Sequence, residues 1–504
     1  MNKFSTILLA ATALSLGSCS LDQAPFSEVA SDDYVKDAAS VNNLVIGTYN
    51  ALHDAMYYEW AVTELRSDNA RQYSNTSTSN NTKLTEQLDQ GAIGAEHQWV
   101  SSYWDGCYAT IARANNVLSY IDVVEDPSLR AQYEGEARFL RALEYFNLVR
   151  LWGPVFIVTS KTPSDVARNM QRSPVEDVYA LIEEDLEAVV NGQLLPSSQP
   201  DSELGRADLT AAKALLAKVY ATHYQAGDNK YARAAELCLE VLQSPRVGNP
   251  QSGADLVPYD LIFAIDNEMN REIIFAVRYL SGNKGLGSPF GNLFAPLNNG
   301  ANVIVGTANS FNTPSDDIIN AYNNRGADKR LDVNIAQRYY NFTTQTWVET
   351  GNCRYCRKYT NEVTRQYDGE SDWPVIRVAD IALLYAEISN EISGPTPQAL
   401  TYLNMICDRA GVPGYEMADV ANRYDFRQAI HNERRLELAF ENQRWFDLLR
   451  WGEAATTVNN FFKTETFYAG YSYTVNPIAD WQTILPVPIS VLNINPDVAQ
   501  NPGY

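Results

Sequence analysis

Apolar residues recur at three- and four-residue spacing through most of the first half of the chain. Val41, Leu44, Val45 and Tyr49 open the pattern, the spacing of one helix face. From Trp99 it strengthens: Tyr103, Tyr108, Ile111, Ala112, Asn115 and Leu118 share a side of a helix ending near Val124. Asp126-Pro127 starts the next helix, since proline suits the first turn, and its face is Ala137, Leu140, Ala142, Tyr145, Phe146 and Val149, up to Trp152-Gly153-Pro154. Ser173-Pro174-Val175-Glu176 reads as another start, with serine as the cap, proline first and an acid in the first turn. Two stretches, Leu209 to Leu242 and Val378 to Ala410, pair Tyr and Ala at crossings in the manner of tetratricopeptide hairpins.

The pattern fails in three places. Residues 66–98 are rich in Ser, Asn and Thr and read as a long surface loop. Residues 245–373 carry Gly, Asn, Pro and Tyr, with short alternating pieces such as Ile273 to Tyr279 that read as strands, and residues 454–504 are similar. Loops of that length in a compact protein are usually functional. The expected fold is mostly α: a tetratricopeptide-like helical hairpin scaffold (about 39–244 and 374–453) with a loop-rich, partly β ligand-binding face.

The first residues form a separate unit. Lys3, the uncharged run Phe4 to Leu16 and Gly17-Ser18-Cys19 match a signal peptide, and the run is short of the ~20 residues needed for a permanent span. A cysteine directly after Gly-Ser is what a lipoprotein signal peptidase requires. We therefore expect residues 1–18 to be removed, Cys19 to be lipidated and residues 19–38 to tether a single domain over 39–504. An ordinary secretory signal that happens to hold a cysteine is the alternative.

Net charge is −22 over 504 residues. Such a chain repels nucleic acid, whose phosphates need clustered Lys and Arg. Of six cysteines, Cys107, Cys238 and Cys407 read as buried apolar residues. Cys353 and Cys356 form the one close pair; with no second pair, zinc is not expected. An oxidising compartment favours a loop disulfide, with two free thiols as the alternative.

Catalytic signatures are missing. The four histidines, His53, His97, His223 and His431, stand apart, and there is no HExxH, GxSxG, Walker or dinucleotide glycine motif. No catalytic residue, metal or cofactor is assigned. Glycoside hydrolysis stays open on the residues alone, because two carboxylates suffice. Glu433, Glu437 and Glu441, four apart with Arg434, Arg435 and Arg444 beside them, read as a stacked face in an ion network holding helices together, since buried charges must be paired.

Aromatic residues are abundant, with 30 Tyr and nine Trp, and some fall in polar segments that read as exposed: Tyr57, Tyr58, Trp60, Tyr73, Tyr339, Tyr340, Phe342, Trp347, Tyr367 and Trp373. An exposed ring beside polar groups suits a pyranose, whose apolar face meets the ring while its hydroxyls are hydrogen-bonded. Peptides use such surfaces as well.

A set of short motifs completes the reading. Leu21-Asp22-Gln23-Ala24-Pro25 follows the lipid cysteine, then Gly47-Thr48-Tyr49-Asn50-Ala51-Leu52 and Ile111-Ala112-Arg113-Ala114-Asn115. Next come Glu136 to Ala142, Leu151-Trp152-Gly153-Pro154, Gly205-Arg206, Pro374 to Asp380 and Tyr385-Ala386-Glu387. Arg409-Ala410-Gly411, Glu433-Arg434-Arg435, Arg444 to Leu448, Leu485 to Pro488 and Gln500 to Tyr504 close the series. In this order, nearly end to end, the chain resembles the SusD/RagB family of outer-membrane nutrient-binding lipoproteins from Bacteroidetes.

The resemblance implies a non-enzymatic protein that captures oligosaccharides, or in some members peptides, for a SusC-like TonB-dependent transporter over which it sits as a lid. It implies lipid anchoring to the outer membrane, facing outward. In the family the ligand lies mainly in variable loops, here about 57–100 and 285–375, which makes Asp68, Arg71, Tyr73, Trp99, Tyr339 and Trp347 the ligand-binding candidates. A surface glycosidase and a purely structural adaptor are the competing readings.

Overall fold

The computed structural model describes residues 34–504 apart from 73–78, 226, 298, 350–353, 362, 466, 469–470 and 473–474. Cys19, Tyr73 and Cys353 lie outside the described residues. The protein is mostly helical, as expected.

Helix α1 (Ala38–Thr63) begins on a reciprocal cap: Asp37 accepts from the Ser40 amide at 2.8 Å, and Ser40 Oγ accepts from the Asp37 amide at 3.1 Å. Helix α2 spans Asn80–Asp89, α3 Gln98–Ser119 and α4 Pro127–Trp152. The α4 start follows the expectation, with Asp126 accepting from two amides and Pro127 in the first turn. Helix α5 (Val175–Gly192) departs from it. Pro174, not Ser173, is the cap, with no side-chain cap bond; the Ser173 amide donates to the Val155 carbonyl at 2.7 Å.

Residues 66–98 are not the surface loop expected. They hold strand β1 (Ala70–Arg71) and α2, whose Leu84 and Leu88 enter the core. The Ser/Asn/Thr run supplies the helix cap: Ser79 Oγ accepts from the Thr82 amide at 3.2 Å.

The two expected hairpins form with their expected limits. They are α6 (Leu209–Thr222) with α7 (Lys230–Leu242), and, following α8 (Asp316–Asn324) and α9 (Lys329–Asn334), α10 (Val378–Ser393) with α11 (Pro397–Ala410). Packing runs helix to helix from α1 through α3, α4, α5, α6, α7 and α10 to α11 and α12 (Arg423–Glu437). This is the nearest-neighbour layering of a solenoid. Gly106 permits the α1–α3 crossing: a Cβ there would lie 2.8 Å from the Ala55 nitrogen.

The expected strand is β2 (Ile273–Val277). It pairs antiparallel with Trp373–Arg377, which leads directly into α10. That pair fastens the loop-rich segment to the helical scaffold. Trp60 and Trp373, read as exposed from their polar surroundings, are fully buried.

The expected ion network exists, with one geometric change. Helix α12 ends at Glu437, so Glu441 does not share its face; Phe440 and Asn442 turn the chain at φ +64° and +62°. The carboxylates meet cations from other elements. Arg377 donates to Glu437 and Glu441, both at 2.6 Å, Lys358 donates to Glu441 at 2.7 Å, and Arg330 reaches Glu433 at 2.6 Å. Burial pushes Glu437 up, but Arg409, Arg377 and Arg330 outweigh it and hold its pKa at about 2.

Cys356 is a buried free thiol packed into the main core. The other half of the expected bridge, Cys353, lies outside the described residues.

Candidate functional site

The loop-rich segment presents two aromatic patches. The first is a hairpin of β-strands Arg338–Asn341 and Thr346–Glu349. Its turn is built locally: Asn341 Oδ1 accepts from the amides of Thr343 and Thr344 at 3.0 and 3.1 Å, and Gln345 takes φ +56°. The register sets Tyr340 directly across from Trp347, with ring centroids 5.5 Å apart in an edge-on arrangement. Phe342 lies 5.1 Å from Tyr340, also edge-on. The Arg338 guanidinium sits 4.5 Å from the Trp347 ring centroid.

This cluster stays open to solvent. Trp347 is 57% exposed and Phe342 69%. Beside it runs a groove of about 720 Å³, lined among others by Asn302, Gln337, Arg338, Tyr339, Tyr340, Trp347 and Arg357. Asn302 also accepts from the Phe342 amide at 2.9 Å, tying the hairpin to the neighbouring loop. Tyr339 pairs with Val348 rather than Trp347. Side chains alternate along a strand, so Tyr339 joins the groove without joining the stacked rings.

The second patch combines the end of α1 with a distant loop. Tyr57 and Tyr58 are half-buried neighbours, their rings 4.8 Å apart. Burial, then Tyr58 and Tyr367, push the Tyr57 phenol up to about 12. Tyr367 is fixed at both ends: its amide donates to Asn292 Oδ1 at 2.7 Å and its hydroxyl to Asn309 Oδ1 at 2.9 Å. Asn292 in turn donates to the carbonyls of Val305 and Thr307, both at 2.9 Å. One buried amide therefore holds two loop segments, around 305–307 and at 367, against its own short helix.

The sequence-derived candidates divide between surface and interior. Trp347 and Tyr339 lie at the groove. Trp99, 5% exposed, is a backing residue: it packs 5.8 Å from Trp60 and 5.8 Å from Tyr58, so it supports the second patch from below. Asp68 and Arg71 are buried and occupied. Asp68 accepts two parallel hydrogen bonds from Arg444, at 2.7 and 2.8 Å; Arg435 adds charge beside it, so that despite burial its pKa lies well below the usual carboxylate range. Arg71 pairs with Asp89 at 2.9 Å and donates to the Glu465 carbonyl at 3.1 Å. Sequence reasoning assigned no role to Asn302, Arg338, Arg357 or Asn309. Only the general polarity of their segments pointed to them.

Two family models match the chain: the SusD family over residues 271–504 and a family described as starch-binding and associating with the outer membrane over residues 21–221. SusD-like protein P25 of Formosa agariphila is 27% identical over 96% of each chain, and SusD-like protein P2 of the same organism 24% identical over the whole of both. Among solved structures, a SusD homolog from Bacteroides thetaiotaomicron superposes with TM-score 0.78 at 23% identity, covering 94% of this chain and 98% of the other. A laminarin-binding SusD-like protein gives 0.75 at 24%, covering 93% and 100%. Surface glycan-binding protein A of Bacteroides thetaiotaomicron, in complex with laminarihexaose, gives 0.74 at 20%, covering 92% and 99%. The chain belongs to the SusD/RagB family.

Proposed function

We propose that this protein captures oligosaccharides on its aromatic loop face and passes them, without chemical change, to a SusC-like TonB-dependent transporter. Lipid on Cys19 would hold it to the outer membrane, facing outward; no helix among the described residues is long and apolar enough to cross a membrane. The observation that carries the reading is Trp347: a large ring kept 57% exposed and held in place by Tyr340 and Arg338 beside a polar groove. Leaving an indole in water is unfavourable by roughly 25 cal/mol per Å², and a pyranose face relieves that cost. Asn302, Gln337 and Arg357 supply donors and acceptors for hydroxyls. The laminarin and laminarihexaose of the two similar structures make a glycan the ligand class to test first.

The test is titration calorimetry of the mature chain against a broad glycan panel and a peptide panel. Saturable glycan binding, lost on Trp347→Ala, is the expected result. Binding of peptides and of no glycan would replace this reading with peptide capture. Turnover of a bound oligosaccharide would make the protein a glycosidase.

A further inference from the structure

The guanidinium groups at the Trp347 groove are unusual for their neighbourhood. Nearby arginines have acids: Arg325 pairs with Glu433 at 3.2 Å, Arg330 with Asp328 at 2.7 Å and Glu433 at 2.6 Å, and Arg354 with Asp316 and Glu465. Arg338 and Arg357, which line the groove, have no carboxylate partner among the described residues. Arg338 is exposed, with its guanidinium over the Trp347 ring. Arg357 is exposed, and among the described residues its guanidinium donates to the Asp332 carbonyl, at 2.9 Å. Register sets Arg338 across from Glu349, yet the two do not form an ion pair.

Resting on the glycan reading above, we infer that the groove selects acidic sugars, with Arg338 and Arg357 receiving a carboxylate or sulfate of a residue stacked at Trp347. A guanidinium presents a planar fork of donors that matches a carboxylate or sulfate edge. Seated at the indole, Arg338 places that fork beside the ring on which a pyranose rests, where a substituent at the sugar's rim is in reach. Asp332 and Glu349 also line the groove, so its own charge is balanced, and the chain as a whole carries −22. Long-range attraction of a polyanion is therefore excluded as the source of selectivity. Recognition is local, fork to acid, and the two wall carboxylates penalise any acidic sugar in the wrong register.

The experiment screens the mature protein against acidic polysaccharides (polygalacturonate, alginate, chondroitin sulfate, sulfated galactan) beside neutral ones (β-glucan, xylan, galactomannan). Calorimetry follows on the best oligosaccharide and on its carboxyl-reduced or desulfated counterpart, which separates the two anion sources. The expected result is binding to an acidic glycan that weakens about tenfold when the acid is removed, a loss of roughly 1.4 kcal/mol. Arg338→Gln and Arg357→Gln should each remove most of the preference for the acidic form over its acid-free counterpart, with thermal unfolding unaltered. Trp347-dependent binding to neutral glycans alone overturns this inference and leaves the glycan reading intact. Equal affinity for the acidic and acid-free forms overturns it too. Binding to no glycan overturns both.

Discussion

Arg444 grips Asp68 through two parallel hydrogen bonds of 2.7 and 2.8 Å, joining the turn after α1 to residues 376 positions away in the chain. Arg435 adds a bond to the Asp68 carbonyl at 2.9 Å. Removing the carboxylate leaves two cations without their buried partner, and breaking such a pair costs about 3–5 kcal/mol. Asp68→Ala is expected to lower unfolding stability by that order in denaturant titration. Glycan affinity, measured below the unfolding transition, should stay within twofold. A stable variant that has lost its ligand would return Asp68 to the binding site.

Stability should respond to pH in two opposite windows. Glu437 has its folded pKa lowered, to about 2, by Arg409, Arg377 and Arg330 acting against burial. It stabilises above its unfolded value near 4.3, and that contribution is lost as pH falls toward 2. Glu64 and Glu144 behave inversely. Burial raises both to about 7, with the Asn442 amide partly opposing it for Glu64 and Cys107 for Glu144. Each keeps its proton in the folded state while the unfolded chain has released it. Stability therefore falls as pH rises from about 4.5 to about 7, by up to roughly 1.4 kcal/mol per unit per group. Melting curves across that range should show the decline, and Glu64→Gln with Glu144→Gln should flatten it. An unchanged slope in the double variant would contradict the assignment.

Gly106 tests the α1–α3 crossing. An added methyl would meet the backbone of Ala55 at 2.8 and 2.9 Å, and no flexible side chain is there to yield. Gly106→Ala should cost about 1–3 kcal/mol, despite alanine's better helix propensity. A stabilised variant in chemical denaturation would mean that the helices are not in contact there.

Much of the scaffold was readable in the order of residues. The α6–α7 and α10–α11 hairpins fall where periodicity set them, because repeating small residues at crossings leave a local signature. Helix α2 was missed although Leu84 and Leu88 stand four apart; Ser79 to Thr82 reads as a turn until its cap geometry is seen. The site was readable only in part. Trp347 follows the run Thr343-Thr344-Gln345-Thr346 on a two-stranded ribbon, and that polar setting does report its exposure. Trp60 and Trp373 have polar neighbours too and are buried, as are Asp68 and Arg71. Their burial is decided by partners far away in sequence, such as Arg444, Phe294 and Tyr359, which no local pattern contains.

Thiol chemistry gives an independent check on the core. Cys107, Cys238, Cys356 and Cys407 are all buried and free, and burial pushes the Cys356 thiol up to about 12. Thiolate is the reactive form, so an aromatic disulfide reagent should label none of the four in native protein and all four after unfolding without reductant. Failure of Cys356 to react in the unfolded chain would point instead to a Cys353–Cys356 bridge.

The central claim is that the Trp347 hairpin holds a glycan. Calorimetry of wild-type protein and Trp347→Ala against the best-binding oligosaccharide tests it most directly. The account predicts saturable binding by wild type and a loss of at least 2 kcal/mol, about thirtyfold, in the variant, with thermal unfolding unchanged because the ring is exposed. Equal affinities in the two proteins would contradict it.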